Sequence, residues 1–107
     1  MSTTKLLDAV TASTVGNAVQ AAADHDQLIK ADQTYQATVT GSGAVTATVL
    51  IEFSNDQVAW LTGATITLSG TTTASDGFVA KSSWKYKRAN LIDISGTNAA
   101  ITVTMGV

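Results

Sequence analysis

The chain has 107 residues, contains neither cysteine nor proline, and carries a formal net charge of −2 at pH 7. Only 13% of the residues are charged and 45% are hydrophobic, against about 25% charged residues in an ordinary globular domain, which excludes an intrinsically disordered chain. Six basic against eight acidic residues exclude a broad cationic surface for nucleic acid, and the absence of cysteine excludes disulfides and thiolate metal sites. We expect one domain, held together by its core.

Hydroxyl groups replace most of the missing charge, since 18 Thr and 9 Ser make up 27 of the 107 residues. Thr is β-branched and fits a pleated surface, where its methyl group packs sideways and its hydroxyl reaches water. This composition favours β-strands with uncharged outer faces.

Residues 1–33 have the least regular pattern. Thr, Ser and Gly interrupt the apolar residues and argue against a continuous helix, although residues 18–23 and 24–30 are compatible with a helical turn. We predict one or two extended segments that belong to the same domain, with an N-terminal arm reaching outward. No stretch has the length or composition of a secretory signal or a membrane-spanning helix, so we expect no membrane contact.

From Tyr35 onward, apolar and polar residues alternate with a period of two, which is typical of short antiparallel strands. The first strand places Tyr35, Ala37 and Val39 on one face. The longest strand places Val45, Ala47, Val49, Ile51 and Phe53 on one face and Thr46, Thr48, Leu50 and Glu52 on the other. A turn at residues 54–57 follows.

The next strand is predicted to begin at Val58 and Trp60, to be interrupted at residues 62–63 and to resume at residues 66–68. Residues 70–77 form a long polar connection that is predicted to cross from one sheet to the other.

In the following strand one parity groups Trp84, Tyr86, Arg88, Asn90, Ile92 and Ile94, while Lys85 and Lys87 lie on the opposite face. The last strand turns Ala99, Ile101, Val103 and Met105 inward.

These elements predict an all-β fold, a single antiparallel β-sandwich with its core over residues 34–107 and a less regular N-terminal segment over residues 1–33. Turn signals recur at spacings of roughly 8 to 12 residues, which suits either a jelly roll or an immunoglobulin-like sandwich. Alternation alone does not reveal the order of the strands.

The acidic residues give no reason to predict an active site. Asp24, His25 and Asp26 bring three potential metal ligands together, but adjacent residues of an extended chain point in different directions, so we interpret them as a solvated loop. The four carboxylates that follow Asp32 in the chain are interpreted as turn-forming or solvated: Glu52, Asp56, Asp76 and Asp93. We therefore predict no catalytic residue, no metal and no cofactor, and a protein that is not an enzyme.

Six aromatic residues in the whole chain are few, and they have two plausible uses. Exposed aromatic rings stack on sugars, whereas buried ones fill the space between two sheets. We interpret four of them as core residues or structural anchors: Phe53, Trp60, Trp84 and Tyr86.

Arg88 shares the parity of two aromatic residues, which is unusual for a charged side chain. If that face is interior, Arg88 must pair with a carboxylate such as Asp56 or stack on Trp60, because an unpaired buried charge is costly. We predict that it is a structural anchor. The nearby lysines either belong to a solvated strand or are candidate contacts for an acidic partner or a phosphate backbone: Lys81, Lys85 and Lys87.

Two pairs of segments carry a resemblance to a known group of proteins. Residues 39–49 run into 54–60, and residues 84–90 run into 94–105, with a recurring arrangement of strands, turns and aromatic residues. In this arrangement residues 35–107 resemble small β-sandwich structural proteins of tailed bacteriophages, some of which decorate or cement the head and others of which belong to the tail.

The resemblance implies a non-enzymatic virion protein, assembled in the host cytoplasm, that binds the major capsid protein or other virion subunits. A homo-oligomer is expected, with no nucleic acid and no membrane as partner. The leading hypothesis is a capsid decoration or cement protein. The alternatives are a tail or head-tail joining component and a carbohydrate-binding β-sandwich module.

Overall fold

The computed structural model describes residues 3–20, 32–81 and 84–106. Their strands are β1 (Thr3–Val10), β2 (Thr14–Val15), β3 (Val19–Gln20), β4 (Asp32–Thr40), β5 (Val45–Ser54), β6 (Leu61–Gly70), β7 (Thr73–Lys81), β8 (Tyr86–Ser95) and β9 (Ala100–Gly106). Sheet A has the order β1-β9-β4-β7, and sheet B has the order β2-β8-β5-β6, with β3 also pairing with β8. Every strand pairing is antiparallel, so the predicted all-β sandwich is confirmed.

The pairings are nested, as in one long folded hairpin. Strand β5 pairs with β6, β4 with β7, β2 and β3 with β8, and β1 with β9. Two further pairings, β4 with β9 and β5 with β8, join these strand pairs into two sheets. A hairpin rolled in this way gives the two packed sheets of a jelly roll. Of the two topologies predicted from the sequence, this is the one present.

The core lies between the sheets and contains the apolar rows predicted for three strands. The inward rows of β4, β5 and β9 are buried: Tyr35, Ala37, Val39, Val45, Ala47, Val49, Ile51, Phe53, Ala99, Ile101, Val103 and Met105. The ring of Tyr35 stacks on Phe78 at 5.1 Å between centroids and meets Phe53 edge-on at 6.0 Å. These contacts fill one end of the sandwich with aromatic rings.

The N-terminal residues that the structure describes belong to the sheets. Strand β1 is an edge of sheet A and buries Leu6 and Leu7 in the core, while β2 and β3 extend sheet B beside β8. The extended segments expected here are therefore present, and residues 3–20 do not reach outward as an arm. The segments compatible with a helical turn, residues 18–23 and 24–30, lie mostly outside the described residues.

Three predicted boundaries are wrong. Val58 and Trp60 lie in the bend between β5 and β6, and not in a strand. Strand β6 runs without interruption from Leu61 to Gly70, because Gly63 is accommodated as a bulge opposite Ile51 and Glu52. The crossing between sheets does occur after residue 70, but it is short, and most of the expected loop is strand β7 paired with β4.

Candidate functional site

The two outer faces of the sandwich differ in chemistry. On sheet A the outward rows of β4 and β9 are almost entirely hydroxyl and amide side chains: Thr34, Gln36, Thr38, Thr40, Thr102 and Thr104. Thr38 and Ser75 on neighbouring strands share a hydrogen bond of 2.7 Å between their hydroxyl oxygens. This face is uncharged along its centre and polar.

The outer face of sheet B is built around an ion pair. Arg88 on β8 and Glu52 on β5 are directly paired across the strands, and the Arg88 Nε donates a hydrogen bond of 2.6 Å to the Glu52 Oε1. The Asn90 side chain donates to the other carboxylate oxygen at 3.5 Å. The guanidinium carbon of Arg88 lies 4.0 Å from the centre of the Trp60 ring. Of the two arrangements considered for Arg88, stacking on Trp60 is present; Arg88 also has a carboxylate partner, which is Glu52 and not Asp56, and the face is the outer one.

Apolar side chains flank this ion pair on the same face. Leu50 pairs with Asn90, and Asn90 pairs in turn with Val15 on β2, so these three form one row across the sheet. Ile92 is the inserted residue of a bulge in β8 and is 48% exposed, as is Val15. A surface of apolar residues around a neutralised charge pair loses little hydration when a partner covers it.

The apolar residues on this face were missed in the sequence, although one signal was visible. Leu50 stands among Thr46, Thr48 and Glu52 on the face that alternation assigns to solvent. A large apolar residue in such a position indicates a surface that another element or molecule can cover.

The bend at residues 55–60 is held by side-chain hydrogen bonds. The Asp56 Oδ1 accepts from the backbone N–H groups of Val58 and Ala59, at 2.9 and 3.0 Å, and from the Ser54 hydroxyl. These donors lower the pKa of the Asp56 carboxyl below its ordinary value. Asp56 therefore has the turn-forming role expected of it, and the bend presents Val58 to solvent at 84% exposure.

The beginning of β8 lies against the same bend. The Lys85 backbone N–H donates to the Asn55 side chain at 3.2 Å, and the Lys85 Nζ lies 5.5 Å from the centre of the Tyr86 ring. Trp84 is 36% exposed and Tyr86 is partly exposed. The assignment of Trp84 and Tyr86 to the core is wrong, because the core-facing parity of β8 is the other one.

Lys87 has that core-facing parity. Its side chain is fully buried, as is that of its neighbour Ala89, and its Nζ donates a hydrogen bond of 2.9 Å to the Trp84 carbonyl. Burial lowers the pKa of Lys87, because the charged form is removed from water. The prediction that Lys87 contacts a partner is wrong for this reason. Lys85 is exposed and remains a candidate, and the side chain of Lys81 lies outside the described residues.

Phe53 is buried opposite Lys87 and fills the same end of the core, as an anchor should. Gly63 on β6 lies directly under its ring, where no side chain would fit. Of the predicted anchors, Phe53 lies in the interior, while Arg88 and Trp60 stabilise the outer face of sheet B.

The described residues contain no group of three or more His, Cys, Asp or Glu that could hold a metal ion. Asp24, His25 and Asp26 lie outside them, while Asp76 and Asp93 are exposed. In the same part of the chain no helix is long and apolar enough to cross a membrane. Glu52 accepts hydrogen bonds from Arg88 and Asn90.

No protein-family model, curated protein or solved structure matches this chain. A function has to be argued from the fold and from the outer face of sheet B, which we define by Val15, Leu50, Glu52, Trp60, Arg88, Asn90 and Ile92.

Proposed function

We propose that this protein is a non-enzymatic structural subunit of a bacteriophage particle, and that it decorates and stabilises the capsid shell as a cement protein. The observation that carries the proposal is the outer face of sheet B. There the central ion pair of Glu52 and Arg88 is internally neutralised, and the exposed apolar residues Val15 and Ile92 lie on the same face. Asp93 adds one exposed charge opposite Thr48. Such a face suits contact with a repeating protein surface, because few charges need to be desolvated when it is covered.

Two further points support the proposal. Jelly rolls are used repeatedly in viral shells, although a fold by itself does not specify a function. The low share of charged side chains, 13% of the residues, also reduces the side-chain entropy lost in assembly, because Thr and Ser have fewer rotamers to lose than Lys or Glu.

Binding to shells that lack this protein tests the proposal. The purified protein should bind saturably and raise the temperature at which the shells break. Ile92→Lys, which adds a charge to the outer face of sheet B, should weaken binding by at least about tenfold. Thr104→Lys makes the same kind of change on sheet A and is the matched control.

The outcomes separate the two parts of the proposal. Absence of saturable binding by the unmodified chain would overturn the role on the shell. Equal loss of binding in both variants would overturn the assignment to sheet B. The copy number in the particle distinguishes shell from tail, since a shell protein is present in far more copies than a tail ring.

The carbohydrate-binding alternative depends on exposed aromatic faces. Arg88 covers one face of Trp60, which leaves Trp84 as the better candidate for sugar stacking. Trp84→Ala should leave binding to shells unchanged if the proposal is correct. A glycan affinity that Trp84→Ala abolishes, in a protein that ignores shells, would favour the alternative.

A further inference from the structure

Among the described residues, the edge strands of the sandwich differ in how they are protected. A strand at the edge of a sheet exposes unpaired N–H and C=O groups that attract another strand, and proteins protect such edges with charges, bulges, proline or very short strands. Sheet A has β1 at one edge and β7 at the other. Sheet B has the short strands β2 and β3 at one edge and β6 at the other.

Three of these edges carry recognisable protection. Strand β1 has two register irregularities, an exposed ion pair between Lys5 and Asp8, and Ala9 in the left-handed backbone region with φ of 50°. Strand β7 places Asp76 opposite the buried Ala37, which is a charge on the core-facing row of an edge. Strands β2 and β3 have two residues each.

Strand β6 lacks almost all of this protection. It has ten residues, with the sequence LTGATITLSG, and contains no charge and no proline. Its one bulge, at Gly63, lies near the beginning of the strand and leaves residues 64–70 in regular pairing with β5. Every second residue of this stretch turns its N–H and C=O away from β5, toward the open edge.

We propose that β6 is a self-association edge, on which β6 of a second copy of this chain pairs antiparallel and continues sheet B across a two-fold axis. A second copy fits because antiparallel pairing of two β6 strands about a two-fold axis brings the central residue opposite its own symmetry mate, and every other residue opposite the β6 residue equally far on the other side of the centre. Like charges opposite one another would repel, and β6 contains none. Thr67, the midpoint of residues 64–70, is assigned to the axis.

The side-chain pattern of β6 is compatible with such a continuous sheet. Ile66 and Leu68 are buried on the core side, while Thr65 and Thr67 are exposed on the outer side. In the paired sheet the buried side chains of both copies would lie on one side and the exposed Thr side chains on the other. The dimer would therefore have one continuous outer face of Thr. Asp76 on the adjacent edge of sheet A would keep that sheet from pairing in the same way.

Sedimentation equilibrium of the full chain, without any shell, tests this inference independently of the proposed function. The unmodified chain should form a dimer. Thr67→Lys should raise the dimer dissociation constant at least about tenfold, because two positive charges would meet near the axis. Thr46→Lys places the same charge on the outer face of sheet B but on the central strand β5, and should leave the dimer unchanged.

Disulfide trapping gives a second measurement that does not depend on a disruptive variant. The chain has no cysteine of its own, so Thr67→Cys should form covalent dimers under mild oxidation, and Thr46→Cys should not. A monomeric unmodified chain would overturn the inference. So would a dimer that both lysine variants weaken equally, since that would locate the contact on the face of sheet B, or a dimer that Thr67→Cys fails to trap.

Discussion

Arg88 and Glu52 form a hydrogen-bonded ion pair of 2.6 Å across strands β8 and β5, with side chains that are only 24% and 11% exposed. An ion pair with this little exposure is more sensitive to the loss of one partner than a surface pair, because the remaining charge stays poorly solvated. Trp60, at the end of the bend at residues 55–60, stacks on Arg88, so the Arg88–Glu52 ion pair also holds the bend against the sheet.

We expect Glu52→Ala and Arg88→Met each to lower the free energy of unfolding by about 2 kcal/mol, between the values usual for surface and for buried pairs. The double variant Glu52→Ala with Arg88→Met should be less destabilised than the sum of the two single losses, by about 1 kcal/mol. Urea unfolding of the set measures this coupling. Additive losses would show that the two side chains act independently.

Lys87 predicts a dependence of stability on alkaline pH. Burial holds its pKa in the folded protein below the ordinary value of 10.5. Between the lowered and the ordinary pKa, the unfolded chain binds a proton that the folded chain does not, so stability rises with pH in this interval. The slope contributed by Lys87 is at most about 1.4 kcal/mol per pH unit.

Lys87→Met keeps most of the apolar side chain and removes the titrating group. We expect the unfolding free energy of the unmodified chain to rise relative to that of this variant as the pH rises toward 10.5. Urea titrations at several pH values between neutral and alkaline measure the difference. A difference that stays constant over this range would show that Lys87 keeps its ordinary pKa.

Residue 63 has to be glycine because the ring of Phe53 occupies the space that a side chain would need. A Cβ at this residue would overlap the ring of Phe53, so we expect Gly63→Ala to lower the free energy of unfolding by about 1–3 kcal/mol. Gly43 has nothing within 4 Å of the same added atom, and Gly43→Ala should change stability by less than about 1 kcal/mol. Equal effects of both variants, measured by thermal unfolding, would contradict this reading of the bulge.

Asp56 predicts an acid-dependent loosening of the bend. Its pKa is lowered by backbone N–H donors, so its stabilising effect is present above the ordinary value of 3.8 and is lost as the pH falls through the folded-state value. Asp56→Ala should lower the Tm at neutral pH, and its Tm should converge with that of the unmodified chain in acid. Asp93→Asn, on an exposed residue of the same sheet, is the control and should have little effect at either pH.

The sequence by itself determined the all-β class and the inward rows of β4, β5 and β9. Alternation is a local property of each strand, and one polar face and one apolar face are enough to orient a strand against a core. Phe53 could be assigned to the interior for the same reason, and Arg88 could be assigned to Trp60 because a charge among aromatic residues needs a partner.

Only the tertiary structure decided the faces of β8. In the sequence Tyr86, Arg88 and Ile94 share one parity, but the pairing of β8 with β5 shifts register at Ile92, so Tyr86 and Arg88 lie outside while Ile94 packs toward the core. The order of the strands likewise depends on pairings between residues far apart in the chain, such as β1 with β9. Alternation within one strand carries no information about which strand lies beside it. For that reason the burial of Lys87 and the position of β6 at a sheet edge became visible only in the assembled sheets.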